Sequence, residues 1–188
     1  MEAREFLNLM HVAENLKNNT RHSWTSAGRH ESVAEHSWRL AVMAFFVKDE
    51  FPETDMDKVI RMCLFHDMGE AFTGDIPAFW KTSAQEKEES QVVFNWLEGL
   101  PEFYREELMA LFVEMKELKT REARIYKALD KMEALIQHNE ADLSTWLPLE
   151  YGLNLTYGAE QVQFSEYMKR LKAEIDRDTL EKIAGKTP

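Results

Sequence analysis

Cys63-Leu64-Phe65-His66-Asp67-Met68-Gly69-Glu70, followed closely by Gly74-Asp75-Ile76-Pro77, is an apolar, helix-like run that carries two metal-capable side chains next to one another. Neutral imidazole and carboxylate suit a divalent first-row metal, and one dipeptide cannot supply four ligands. Further donors stand at His36, in Ser32-Val33-Ala34-Glu35-His36-Ser37, and at Asp130, in Ala128-Leu129-Asp130-Lys131-Met132. Together they read H…HD…D, two histidines and two aspartates spread over three predicted helices. Facing helices in a bundle core are a common way to assemble such a site. His11, His22 and His138 read as ordinary surface or core residues.

The pattern around this set is helical nearly throughout. Phe6, Leu9, Ala13 and Leu16 fall at helical spacing between Glu2 and Lys17, and Asn18-Asn19-Thr20 breaks the run before a polar loop to Glu31. Ser32-Val33-Ala34-Glu35 is a capping box that opens a helix toward Phe51, placing His36 in its first turn. A third helix is predicted from about Asp55 to Glu70. Ser83-Ala84-Gln85-Glu86 is a second capping box, Glu102 to Leu118 continues after the Gly99-Leu100-Pro101 break, and Thr120 caps a helix with Ile125, Leu129, Met132 and Ile136. A loop around Pro148 to Gly158 precedes a last amphipathic helix with Phe164, Met168, Leu171 and Ile175. Strand-like alternation is scarce, so the expected fold is an all-α helical bundle.

The 188 residues suit one domain with a sizeable core, and 44% apolar with 30% charged residues is a globular balance. A formal net charge of −11 argues against a nucleic-acid polymer or an anionic membrane as partner. An anionic substrate must then be met by local positive charge, from a bound metal or a few arginines. The single Cys63 permits no intrachain disulfide, no apolar run approaches the length that spans a bilayer, and the mixed-charge Met1-Glu2-Ala3-Arg4-Glu5 does not resemble a secretion signal, so a cytoplasmic location is expected. Glu70 stands at i+4 from His66, on the same helix face, and Asp75 follows Gly74, where the chain must turn. Both can face a metal without ligating it, as groups that do acid/base work beside a metal must.

As a set, Arg21-x-x-Trp24, Glu31-Ser32-Val33-x-x-His36, His66-Asp67-Met68-x-Glu70, Gly74-Asp75-Ile76-Pro77 and Leu129-Asp130-Lys131-Met132-Glu133 resemble the HD-domain metal-dependent phosphohydrolases, and within them the 5′-deoxynucleotidase branch. The resemblance covers about Phe6 to Asn139, leaving a C-terminal helical extension, about 140–188, that does not align. It implies metal at His36, His66, Asp67 and Asp130, and catalysis helped by Glu70 and Asp75. It also implies substrate contacts at Arg21, Trp24, Asp75, Ile76, Pro77 and Ala78, and at the ligands His36, Asp67 and Asp130. Arginine can grip phosphate in two-pronged fashion, and an indole can crowd C2′ of the sugar and reject a ribose hydroxyl. Members with two metals add histidines between the central pair and the last aspartate. None occurs here between Asp67 and Asp130, so a mononuclear site is expected, open to Co²⁺, Mn²⁺, Zn²⁺ or Ni²⁺.

The reading that follows is a phosphomonoesterase acting on the 5′-phosphate of nucleoside monophosphates, with deoxyribose favoured. The rivals are an HD-type hydrolase of a pyrophosphate or cyclic phosphodiester, and a nucleotide-binding regulatory module. Ten methionines, eleven phenylalanines and five tryptophans exceed what a small bundle core needs, and with the resemblance they imply a homodimer.

Overall fold

Start and stop signals along the chain divide residues 1–185, which the structure, a computed structural model, describes, into nine α-helices and a two-stranded hairpin. The end of the C-terminal extension, 186–188, lies outside the described residues. In order they are α1 (Ala3–Asn18), β1 (Thr20–Trp24), β2 (His30–Ser32), α2 (Val33–Phe46), α3 (Met56–Phe65), α4 (Glu70–Thr73), α5 (Ser83–Glu98), α6 (Glu102–Glu117), α7 (Arg121–Glu140), α8 (Glu150–Thr156) and α9 (Glu166–Ile183).

The heart of the molecule is the packing of α2, α3 and α7 on one another. Along α7, Ile125, Ala128, Leu129, Met132 and Leu135 recur at three- and four-residue intervals and are all buried. They meet Leu40 and Ala44 of α2 and Val59, Met62 and Cys63 of α3 in one apolar core. Removing side chains of this kind from water is worth about 1.5–3 kcal/mol each, which makes the core the main source of stability. Around it, α1 packs on α2 and α4, α5 on α4 and α6, and α9 on α7 and α8.

Several boundaries differ from the sequence expectation, each for a local reason. The predicted loop after α1 contains the antiparallel hairpin β1–β2, pairing Thr20 with Ser32 and Trp24 with His30. The capping box at Ser32 forms as read, with the Glu35 N–H donating to Ser32 Oγ. The second box sits one residue early: Thr82 caps α5 and Gln85 reaches back to it. Thr120 caps α7 as expected. The predicted loop near Pro148 contains the seven-residue helix α8.

The third helix ends at Phe65 rather than running through to Glu70. His66 keeps its i→i−4 bond to Met62, but Met68, Glu70, Ala71 and Phe72 donate to carbonyls only three residues back. This stretch of three-residue bonding tightens the chain and turns the HD pair inward. Gly69 permits it. A Cβ there would stand 2.7 Å from Glu89 Cγ and 2.8 Å from Val93 Cγ2 of α5.

Candidate metal centre and its cavity

Four side chains converge from three elements. His36 comes from the first turn of α2, His66 and Asp67 from the tightened turn after α3, and Asp130 from the middle of α7. The two Nε2 atoms of His36 and His66 are 3.3 Å apart. Asp67 Oδ2 lies 3.0 Å from His66 Nε2 and 3.8 Å from His36 Nε2; Asp130 Oδ1 lies 3.4 Å and 3.8 Å from His36 and His66. Neighbouring donors on one metal at 2.0–2.2 Å stand about 3–3.5 Å apart, so these spacings fit a shared cation.

The second ring nitrogens decide the orientation. His66 Nδ1 donates to the Cys63 carbonyl at 2.9 Å, and His36 Nδ1 donates to the Glu133 carboxylate. In the neutral tautomers both Nε2 lone pairs then point at one another, an arrangement that calls for a cation between them. Electrostatics agree. Burial and the nearby Arg21 guanidinium both oppose an imidazolium at His36, yet Glu133 and Asp130 outweigh them and lift its pKa to about 9. Without a metal the cluster takes up a proton; metal uptake would release it. Glu133 itself is raised by burial but brought below its ordinary value by His36. Arg39 Nε, 3.5 Å from Glu133, and its bond to Gln137 at 2.9 Å hold α2 against α7 behind the site.

A cavity of about 240 Å³ opens beside these ligands. Asp67 and Asp130 line it, while His36 lies fully buried behind and does not, so His36 fits a ligand role and not the expected substrate contact. Arg21, Asp75, Ile76, Pro77 and Ala78 all line it, as does Glu70. Arg21 stands 3.7 Å from Asp67 and 3.4 Å from Glu31, and despite its burial these carboxylates keep it charged. Glu70 is buried, and its Oε2 has no hydrogen-bond partner. Burial, then the charges of Asp67 and Asp75, push its pKa up to about 10. Burial raises Asp75 in the same direction. Gly74 makes this possible with φ at +75°, swinging the chain so that Asp75 turns back to the cavity that Glu70 lines.

Trp24 is placed differently from its expected role. It does not line the cavity; its ring lies on His30 across the hairpin, with centroids 4.0 Å apart, and its carbonyl accepts from Gln137 at 2.7 Å. The indole packs instead on the residue paired with it across the hairpin, His30. Arg29 also lies away from the cavity, paired at the surface with Glu35 at 2.9 Å.

Several lining residues escaped the sequence reading. Lys127 and Lys131 flank Asp130, with Lys127 Nζ at 2.8 Å and Lys131 Nζ at 3.6 Å from Oδ2. Their i,i+4 spacing on the face that carries Asp130 was a readable signal. His22 and His138 line the cavity as well, together with Glu150 and Asn154 of α8.

An HD-domain family model matches residues 13–172. The chain belongs to the HD-domain family. It is 34% identical over 142 residues to the human 5′-deoxynucleotidase HDDC2, an alignment covering 73% of this chain and 69% of that protein. With the 5′-deoxynucleotidase hdd1 of Schizosaccharomyces pombe it shares 30% identity, covering 70% and 74%. A crystal structure described as a predicted metal-dependent phosphohydrolase, from Magnetospirillum magnetotacticum, superposes with a TM-score of 0.78 at 28% identity and covers 97% of both chains. The HD-domain match runs past residue 139 through α8 and into α9, so most of the extension lies within the family fold.

Proposed function

We propose that this HD domain is a metal-dependent 5′-nucleotidase that hydrolyses nucleoside 5′-monophosphates to nucleoside and inorganic phosphate, favouring 2′-deoxyribose. The observation that carries it is the pairing of a cation-demanding His36–His66–Asp67–Asp130 cluster with a cavity that holds Arg21, Lys127 and Lys131 beside two carboxyls outside the cluster. The names of the human and fission-yeast relatives supply the deoxynucleotide part.

His36, His66, Asp67 and Asp130 would hold a divalent ion, which when bound neutralises phosphoryl charge and acidifies water. The chain's own residues do the rest. Arg21 and Lys127 grip phosphate oxygens, and their charge is stabilised by the surrounding carboxylates rather than by solvent. Glu70 and Asp75 move the proton: water attacks phosphorus, the bond from phosphorus to O5′ breaks, and the leaving alkoxide is protonated. Both carboxyls are raised in pKa, as suits groups that must carry a proton near neutrality.

Phosphate release from ribo- and deoxyribonucleoside monophosphates, assayed with each of Co²⁺, Mn²⁺, Zn²⁺ and Ni²⁺, tests this reading. Monoester hydrolysis with deoxyribonucleotides ahead is expected. Turnover of a pyrophosphate or cyclic diester in its place would move the protein to another HD activity, and nucleotide binding without turnover would make it a regulatory module.

The same reading includes a homodimer. Trp38, Phe45 and Phe46 of α2 are exposed at 65%, 49% and 74%, apolar area that a second copy would cover. Light scattering at micromolar concentration is expected to give twice the chain mass; a monomer mass would remove this part.

A further inference from the structure

We propose that α8 recognises the nucleobase, through Asn154 and Glu150, at the end of the cavity away from the metal ligands. The inference rests on the nucleotidase reading and adds to it where the base sits and what holds it.

α7 acts as a ruler. Asp130 and His138 both line the cavity on one face of that helix. At 1.5 Å per residue the two are about 12 Å apart along its axis. A 5′-nucleotide with its phosphate against Asp130, Lys127 and Arg21 therefore reaches His138 and α8 with its base.

That end of the cavity holds buried polar atoms that complete no hydrogen bond. Glu150 and Asn154 are exposed at only 1% and 3%, and both line the cavity. Glu150 Oε1, Asn154 Nδ2 and His138 Nδ1 all lack a hydrogen-bond partner. Buried polar groups are nearly always paired, and leaving one unpaired is costly. Glu150 is held in place by its other oxygen, which accepts the Leu147 N–H at 2.6 Å. His22 Nε2 and His138 Nε2 approach Oε1 to 3.1 Å and 3.7 Å without completing a hydrogen bond. The two side chains sit one helical turn apart on α8, an acceptor beside a donor. A nucleobase edge carries a donor beside an acceptor and answers both. A sugar phosphate without a base reaches neither.

Hydrolysis of 2′-deoxynucleoside 5′-monophosphates should be compared with that of 2-deoxyribose 5-phosphate, which lacks the base, using wild type, Asn154→Ala and Asn154→Asp. Wild type is expected to prefer the nucleotides. Both variants should lose about tenfold or more in kcat/KM on nucleotides, mainly through KM, and should lose clearly less on the base-free substrate, so that the nucleotide preference shrinks. An unchanged nucleotide preference in either variant, or a wild type that does not discriminate, would overturn the proposal. So would an equal loss on both substrates or failure of both variants to fold, since Asn154 would then be structural. If no substrate is hydrolysed, the nucleotidase reading fails separately. Calorimetric binding of 2′-deoxyadenosine 5′-monophosphate then decides this one, with about tenfold weaker binding to Asn154→Ala upholding it and equal binding overturning it.

Discussion

Replacing His66 or Asp67 by alanine is expected to give a folded protein with no stoichiometric metal and no phosphate release. The four converging atoms come from four different side chains, and Glu70, a nearby carboxyl, lines the cavity outside the cluster. Both substitutions leave the apolar packing of α3 through Val59, Met62 and Cys63 intact, so loss of metal need not mean loss of fold. Glu133→Gln makes a graded comparison. It keeps all four donors and removes only the charge that orients His36, for which about a 10- to 100-fold loss in metal affinity is expected. Metal content after desalting and competition against a chelator measure both effects. Full metal retention by folded His66→Ala or Asp67→Ala would remove the basis of the proposed activity.

The parts of this site that sequence made legible are those set by short-range chemistry. A capping box fixes where α2 begins and hence where His36 points, and the apolar period of α7 puts Asp130 on the inner face. The HD pair was readable as a ligand pair, but not the break in helical bonding that aims it, because that break depends on α5 packing against Gly69. Strands of five and three residues are too short to show alternation, so the hairpin carrying Arg21 read as loop. α8 was missed for a related reason. Seven residues including Gly152 and Asn154 make a poor isolated helix, and it is held from outside: Glu150 accepts the Leu147 N–H, and Lys172 of α9 donates to the Leu155 carbonyl at 3.2 Å. Its Glu150 and Asn154 reach the cavity only once the chain has folded back on α7, so no local pattern announced them, and the same holds for the meeting of His22 with His138.

Glu70→Ala or Glu70→Gln is expected to keep metal and substrate while losing about 10²–10⁴ in turnover, the range for a positioned acid/base group. The argument starts from an unpaired, buried carboxyl oxygen beside Asp67 and Asp75, which together with burial lifts the Glu70 pKa to about 10. A group whose folded pKa exceeds its unfolded value gives stability at low pH that is lost as pH rises toward the folded value. Metal-free wild type should therefore lose thermal stability from the ordinary carboxylate range upward, with Glu31, raised by burial to about 7, contributing in the same sense. Glu70→Gln cannot ionise, so its metal-free melting curve should be flatter at the alkaline end. Bound metal opposes the negative charge that Glu70 feels and should bring its ionisation down toward the working pH, linking proton transfer to occupancy of the site. Melting temperature against pH and single-turnover phosphate release read the two halves separately. Near-normal turnover in a metal-loaded Glu70 variant would leave it a buried carboxyl with no part in the chemistry, and loss of metal would move it into the coordination sphere.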